Sequence, residues 1–258
     1  MRQELHAEWT KLRTVAGTGW LLLALVALTV ALSVAASAAT TCSSAGCGHD
    51  PAKLSLAGIQ LGQVAVAMLA VLAVGGEYST GMIRTTLVAM PRRATVLAAK
   101  AAVVGGLTVA AGTVAVLASV LAGRLILPGN GFTAAHGYEL LSLADGATLR
   151  AAAGSVVYLA LIALLSLGVA AAVRDSATAI GVVLGLLYLF PVLLVVVGNP
   201  DWQRLVRQIS PTNAGLAIQA STDLPGLPIG PWAGLGVLVA WAAAALLGGG
   251  LLLRRRDA

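Results

Sequence analysis

Few residues in this chain are equipped for chemistry, and most of them sit in short polar stretches. Glu77 closes a long apolar run, within Gly76-Glu77-Tyr78-Ser79-Thr80-Gly81-Met82-Ile83-Arg84-Thr85-Thr86-Leu87-Val88-Ala89-Met90-Pro91-Arg92-Arg93. An ionisable group at the edge of hydrocarbon is a functional candidate by default. The plainer alternatives are a carboxylate paired with Arg84, or one near a helix start, where negative charge is favoured. Cys42 and Cys47 are five apart, with His49 and Asp50 nearby. A structural metal site would need a second ligand pair, which this spacing lacks. On an oxidising face of a membrane the two cysteines favour a disulfide, with free thiols and a metal as the alternatives. The chain contains no H-E-x-x-H, no G-x-S-x-G and no G-x-x-x-x-G-K-[ST] phosphate loop. It is therefore expected not to be an enzyme, and to hold neither a cofactor nor a metal.

The elements that must carry these residues are membrane spans. Mean hydropathy is +0.92, and 10% of the residues are charged, against about 25% in an ordinary soluble domain. Runs of roughly 20 apolar residues, enough to cross a bilayer, fall at about 18–38, 56–75, 99–123, 150–173, 177–198 and 231–253. The expected fold is all-α: a polytopic membrane protein with six transmembrane helices, forming one transmembrane domain over residues 1–258. Ala, Gly, Val and Leu fill the runs, and small residues let helices approach closely. Arg174-Asp175-Ser176 alone separates the fourth run from the fifth, so these two are antiparallel neighbours.

The net charge of +6 is explained by basic residues at span ends and does not imply nucleic acid. With the N-terminus inside, 11 of the 16 Lys and Arg lie on the cytosolic side and 5 outside. That bias places both termini in the cytosol. Ala36-Ser37-Ala38 resembles a signal-peptidase site. The apolar run from Val15 is longer than the ~7–15 residues of a signal sequence core, and Glu4 and Glu8 precede it, so an uncleaved span is expected. Arg124 and Arg150 lie near span ends, where they can snorkel outward.

Two amphipathic segments flank the early spans. Leu5, Trp9, Leu12 and Ala16 share one helical face, with Glu4, Glu8 and Lys11 mostly off it. This predicts an interfacial helix with Trp9 at headgroup depth and the charges toward water. Further on, Gly75-Gly76 loosen the end of the second span. Thr80 can cap a new helix. Met82, Ile83, Thr86, Leu87 and Met90 share a face, Arg84 points elsewhere, and Pro91 stops the helix. The face suits either an apolar groove on a soluble partner or the membrane surface. Between the last two spans, Trp202, Leu205, Val206 and Ile209 recur at i, i+3, i+4, i+7. This helix either dips into the outer leaflet or packs over the bundle mouth.

Ala7-Glu8-Trp9-Thr10-Lys11-Leu12-Arg13-Thr14 resembles the opening of permeases of type-2 ABC exporters, particularly those of high-GC Gram-positive bacteria. The same is true of Glu77-Tyr78-Ser79-Thr80-Gly81 followed by Arg84, Leu87, Pro91-Arg92-Arg93 and Lys100, and more weakly of Ser210-Pro211-Thr212-Asn213-Ala214. The resemblance implies a bacterial plasma-membrane permease whose first cytosolic loop is a coupling helix docked on a separate ATPase subunit. Glu77, Thr80, Met82, Ile83, Arg84, Thr86, Leu87, Met90 and Pro91 would then be the coupling residues. Many members carry a second acidic residue beside the Glu77 position, where this chain has Tyr78 and Ser79. With no phosphate loop here, ATP and Mg would be bound by the partner. A second permease copy, identical or paralogous, and membrane lipids complete the expected partners, and an apolar lining favours export of a lipid, peptide or antibiotic. The alternatives are a secondary carrier without an ATPase, or a membrane anchor or sensor for a cytosolic regulatory partner. A secondary carrier is disfavoured by the lack of mid-span acids and of matched proline-broken helices.

The charge split predicts that tags on both termini are reached only from the cytosol and a reporter at Asn130 only from outside. Protease protection in intact cells and in inverted vesicles checks this, and an externally accessible C-terminus would remove the six-span arrangement.

Overall fold

The computed structural model describes residues 2–43, 47–79, 81, 93–196 and 198–255. The described residues form helices and contain no strand. Six helices are long and apolar enough to cross a membrane, so the protein is an all-α polytopic bundle. A short α1 (Arg2–Thr14) precedes the first of them, α2 (Ala16–Ala39). After α3 (Pro51–Ser55) come α4 (Ile59–Ser79), α5 (Arg93–Ile126), α6 (Gly146–Val173) and α7 (Ser176–Val196). Two short helices, α8 (Pro200–Ile209) and α9 (Pro211–Leu216), lead to α10 (Pro231–Arg255). An even number of spans puts both ends of the chain at one end of the bundle, here the near end.

The boundaries differ from the expected ones in informative ways. α5 starts at Arg93, about two turns before the predicted 99, because the charge on Lys100 is satisfied inside the bundle. α4 starts at Ile59, since Leu56-Ala57-Gly58 form a turn after α3. It also runs straight through Gly75-Gly76 to Ser79, so these glycines do not loosen it. Instead, Gly75 makes room for α7: a Cβ there would sit 2.2 Å from Ser176 Oγ. Between α6 and α7, Arg174 adopts a left-handed conformation (φ 66°) and its N–H closes on the Ala170 carbonyl. Asp175 then caps α7, accepting from Thr178 N at 2.8 Å. This is the short antiparallel turn that the spacing predicted.

α4 and α6 are the most deeply buried spans, while α2, α7 and α10 ring them. α6 packs against α4, α5, α7 and α10. Its crossing with α10 brings backbones together: a Cβ on Gly168 would lie 2.4 Å from the Ala245 carbonyl carbon, and one on Gly249 would lie 2.4 Å from the Gly168 oxygen. Small residues at such a crossing exchange side-chain bulk for close main-chain packing, the usual source of helix association where lipid removes the hydrophobic drive.

The segment between α7 and α10 holds the largest departure from expectation. α8 is the predicted amphipathic helix: Trp202, Leu205 and Ile209 of its apolar face stay exposed, and Val206 turns inward. The chain from Ser210 to Ala220, which carries no apolar periodicity, is the part that enters the bundle, with Ser210, Thr212, Ala214, Ile218, Gln219 and Ala220 all buried. Irregular backbone at this depth must find internal partners, and it does. Arg150 Nη2 donates to the Ala220 carbonyl at 2.7 Å, so this arginine turns into the protein rather than snorkelling outward. Gln219 Nε2 reaches Ser155 Oγ at 3.1 Å. Pro191 lies inside α7 and cannot donate to the Leu187 carbonyl four residues earlier. Thr212 Oγ1 fills that vacancy at 2.9 Å.

Gly168→Ala is expected to lower stability by about 1–3 kcal/mol, the usual cost of overpacking. Gly181→Ala, where a Cβ meets nothing within 4 Å, should leave stability unchanged or slightly raised. Thermal unfolding of the two variants in one detergent checks the contrast.

Candidate functional site

At the near end, four charged side chains from three helices converge. α1 lies against α5 and the start of α2. Its Leu12 packs on the main core, and Trp9 is 46% exposed, which suits an aromatic ring at headgroup depth. Leu5 is half-buried. The expectation that all the α1 charges face water fails at Glu8, which is 2% exposed. Glu8 lies one turn from Leu12 and shares its inward face. A carboxylate on that face is tolerated because a cation waits opposite.

The cation is Lys100, two turns into α5 and 3% exposed. Its ammonium has three N–H groups and uses all of them. They reach Glu8 Oε2 at 2.7 Å, Glu77 Oε1 at 2.8 Å and the Ala73 carbonyl at 3.1 Å. Lys11, at the rim with a side chain 33% exposed, closes the ring: Glu8 Oε1 lies at 3.2 Å and Glu77 Oε1 at 2.8 Å. Two carboxylates and two ammoniums leave no formal net charge. Contacts this short are worth about 5–6 kcal/mol each at an effective dielectric of ~20. Stripping water from each ion costs several kcal/mol. The terms are of the same order, so the cluster gives the fold a fixed geometry more than it gives net stability. Around Lys11, burial pulls the pKa down, but the Glu77 and Glu8 carboxylates outweigh it and hold the group above its ordinary 10.5. Its contribution is thus complete below pH 10.5 and is lost as pH rises through the raised value.

Glu77 is 6% exposed. Its Oε1 accepts from both lysines, while its Oε2 is buried and meets no donor among the described residues. The cluster forms one wall of a cleft of about 470 Å³, whose other walls include Leu21, Leu69 and Leu72. Close by, the Arg174 guanidinium stacks 5.6 Å from the Tyr78 ring centre. Deeper in the bundle the polar contacts are neutral, with the Tyr158 hydroxyl donating to Gln63 Oε1.

Of the residues singled out in the sequence, Glu77 falls at the centre of this site. Thr80, Met82, Ile83, Arg84, Thr86, Leu87, Met90 and Pro91 lie outside the described residues. Lys100 was read as a charge marking membrane sidedness, and Glu8 as solvated, so both members of the buried pair were missed. The signal available was the Glu8/Lys11/Leu12 spacing, which puts an apolar residue and two charges on one face, and the apolar run that continues on both sides of Lys100.

Among the described residues the far end holds no comparable cluster. Cys42 and Cys47 are joined by a disulfide, with Cα atoms 5.7 Å apart. Cys42 N donates to the Asn130 carbonyl at 2.8 Å, and Phe132 and Tyr138 pack edge to face beneath the bridge. Asp50 is a staple. It caps α3 through Ala52 N and Lys53 N and binds Ser221 Oγ at 2.6 Å. Among the described residues no three His, Cys, Asp or Glu are grouped to hold a metal.

Fold and site together define a polytopic all-α membrane protein whose N-terminal helix is pinned to its bundle by buried charges. No family model and no curated protein matches the chain.

Lys100→Met should destabilise the protein by about 3–5 kcal/mol, because it strands two buried carboxylates. Adding Glu8→Leu leaves Glu77 and Lys11 as a balanced pair and should recover more than half of the loss. Thermal unfolding in detergent of the two single variants and the double variant measures the coupling, and additive losses would show that the pair is not a unit.

Proposed function

We propose that this chain is the permease subunit of an ATP-driven exporter of the type-2 ABC class, working as a pair with a second permease copy and with separate ATPase subunits. The observation that carries the reading is the Glu77–Lys100 bridge. Glu77 ends α4 and Lys100 lies near the start of α5, so the 2.8 Å contact ties together the two sides of the 80–92 segment. Glu8 brings α1 into the same knot at 2.7 Å. A segment that receives force from a cytosolic motor needs such a clamp at its base. Without one, a push would flex the loop rather than move the spans.

Three further features support the reading. The two stretches resembling the family meet in space at this knot through Lys11 and Glu77, 66 residues apart in sequence. A rigid near end joined to peripheral spans suits rocking of helices between inward and outward access. The buried charges balance one another at one end of the bundle, and the deeper polar pair, Gln63 and Tyr158, is neutral. A proton- or ion-coupled carrier would place unbalanced ionisable groups at mid-depth. In this reading the near end faces the cytosol, residues 80–92 dock on the ATPase, and the cargo is hydrophobic or amphipathic.

Ile83→Asp with Leu87→Asp is expected to abolish recovery of an ATPase with the tagged protein from mild detergent. Hot-spot side chains in such grooves cost about 2 kcal/mol or more each. Arg84→Ala should have a milder effect, as expected of a rim charge. Leu205→Asp with Ile209→Asp, both exposed at the far end, is the control that should spare association. An ATPase that still binds after the first pair of changes places docking elsewhere.

A further inference from the structure

We propose that α8 is a lipid-embedded re-entrant helix whose Arg204 and Arg207 hold the phosphate of an anionic phospholipid. Hydrogen bonds fix the path of the chain. Gln203 Nε2 donates to the Leu194 carbonyl near the far end of α7, and Thr212 Oγ1 reaches the Leu187 carbonyl about two turns deeper. α8 thus descends beside α7, antiparallel to it. At its foot the Ile209 carbonyl accepts from Trp241 Nε1 at 2.9 Å. Trp241 lies ten residues into α10, about 15 Å along its axis. Beyond that point the chain turns and climbs α10, where Gly234 meets Ala214. The irregular returning limb is buried, whereas the limb left at the surface is a helix that satisfies its own main chain. Hydrocarbon requires that division.

The faces of α8 select the occupant. With 3.6 residues per turn, Trp202, Leu205 and Ile209 form one side and Arg204 and Arg207 the opposite side, while Val206 points to the bundle between them. Trp202 is 60% exposed, Leu205 and Ile209 are 44% exposed, and both arginines are exposed. Neither arginine has a carboxylate or hydrogen-bond partner among the described residues. Both lie between the Gln203 and Ile209 anchors, below the far ends of α7 and α10. A guanidinium at that depth draws an anion and water down to it, and a phosphate accepts its forked N–H groups. The apolar side of the same helix takes acyl chains, which a soluble anion lacks. Asp201 offsets one of the two positive charges on α8. The single charge in excess matches the single net charge of an anionic phospholipid. A choline lipid carries the same phosphate, but its own ammonium competes for it. The site needs no ATPase partner, so it stands or falls separately from the export reading.

The test uses the full-length protein in vesicles. Because Cys42 and Cys47 are bridged, Leu205→Cys offers a single thiol for a bimane label, within a helix diameter of about 10 Å from either arginine. Doxyl-chain phosphatidylglycerol should quench the label about fivefold more effectively than doxyl-chain phosphatidylcholine at equal mole fraction, the effect of one unit charge beside an anionic headgroup. Arg204→Gln with Arg207→Gln should make the two lipids equal while both still quench. These exposed side chains have no partner to lose, so the fold is expected to survive the change. Asp201→Asn, which removes the offsetting carboxylate, should widen the preference. Quenching by neither lipid would show the face covered by protein, a second copy of this chain included. A label reached by aqueous iodide more readily than by either lipid would place α8 in water. Either result would overturn the proposal. So would equal quenching by the two lipids with both arginines present, a preference that survives the double change, or its loss in excess inorganic phosphate.

Discussion

Everything at the near end follows from one constraint: a lysine ammonium held among apolar helices must have all its protons accepted. Lys100 meets that requirement with carboxylates from α1 and α4 and a carbonyl from α4. Each acceptor belongs to an element that would otherwise be free to shift. An amphipathic α1 with only Leu12 against the core could slide along the membrane surface, but Glu8 fixes its position and its rotation. The last turn of α4 could fray after Gly75-Gly76, but Glu77 holds it helical to Ser79. Because the attraction and the desolvation terms nearly cancel, the cluster works through geometry. Removing one ion leaves its partners buried and unpaired, and that loss is far larger than the net worth of the intact group.

At the far end the partners are single side chains rather than a cluster of opposite charges. Three bonds tie the chain between α7 and α10 to neighbouring spans: Arg150 donates to the Ala220 carbonyl, Gln219 Nε2 meets Ser155 Oγ, and Trp241 Nε1 donates to the Ile209 carbonyl. Asp50 ties the first far-end loop to the last through Ser221.

The spans were legible because hydrocarbon demands runs of about 20 apolar residues, and six such runs stand out from their surroundings. The disulfide was legible because two cysteines five apart, with no second ligand pair, suit a bridge better than a metal site. The charge cluster was hidden by two habits of reading. Charged residues on an amphipathic helix are assigned to water, which misplaced Glu8. A basic residue near a predicted span end is assigned to sidedness, which misplaced Lys100. Both readings treat a charge singly, whereas burial becomes tolerable only when opposite charges from distant segments meet. Glu8 and Lys100 lie 92 residues apart, and no local pattern announces their contact. The buried 210–220 segment was hidden for a related reason. Its Ser, Thr, Asn and Gln content is that of a surface loop, and only the partners on α6, α7 and α10 make it an interior one.

The Thr212 hydroxyl on the Leu187 carbonyl has a consequence for how the protein is made. Pro191 leaves that carbonyl without a donor as soon as α7 forms, and Thr212 emerges from the ribosome 25 residues later. Until it arrives, the middle of α7 carries an unsatisfied oxygen that hydrocarbon penalises. Docking of the 210–220 segment in turn needs α10, since Gly234 lies so close to Ala214 that a Cβ there would be 2.0 Å from its carbonyl oxygen. The Leu187 carbonyl is therefore satisfied only once the segment beyond α7 has docked, and a truncation after α7 would leave that oxygen without its Thr212 donor.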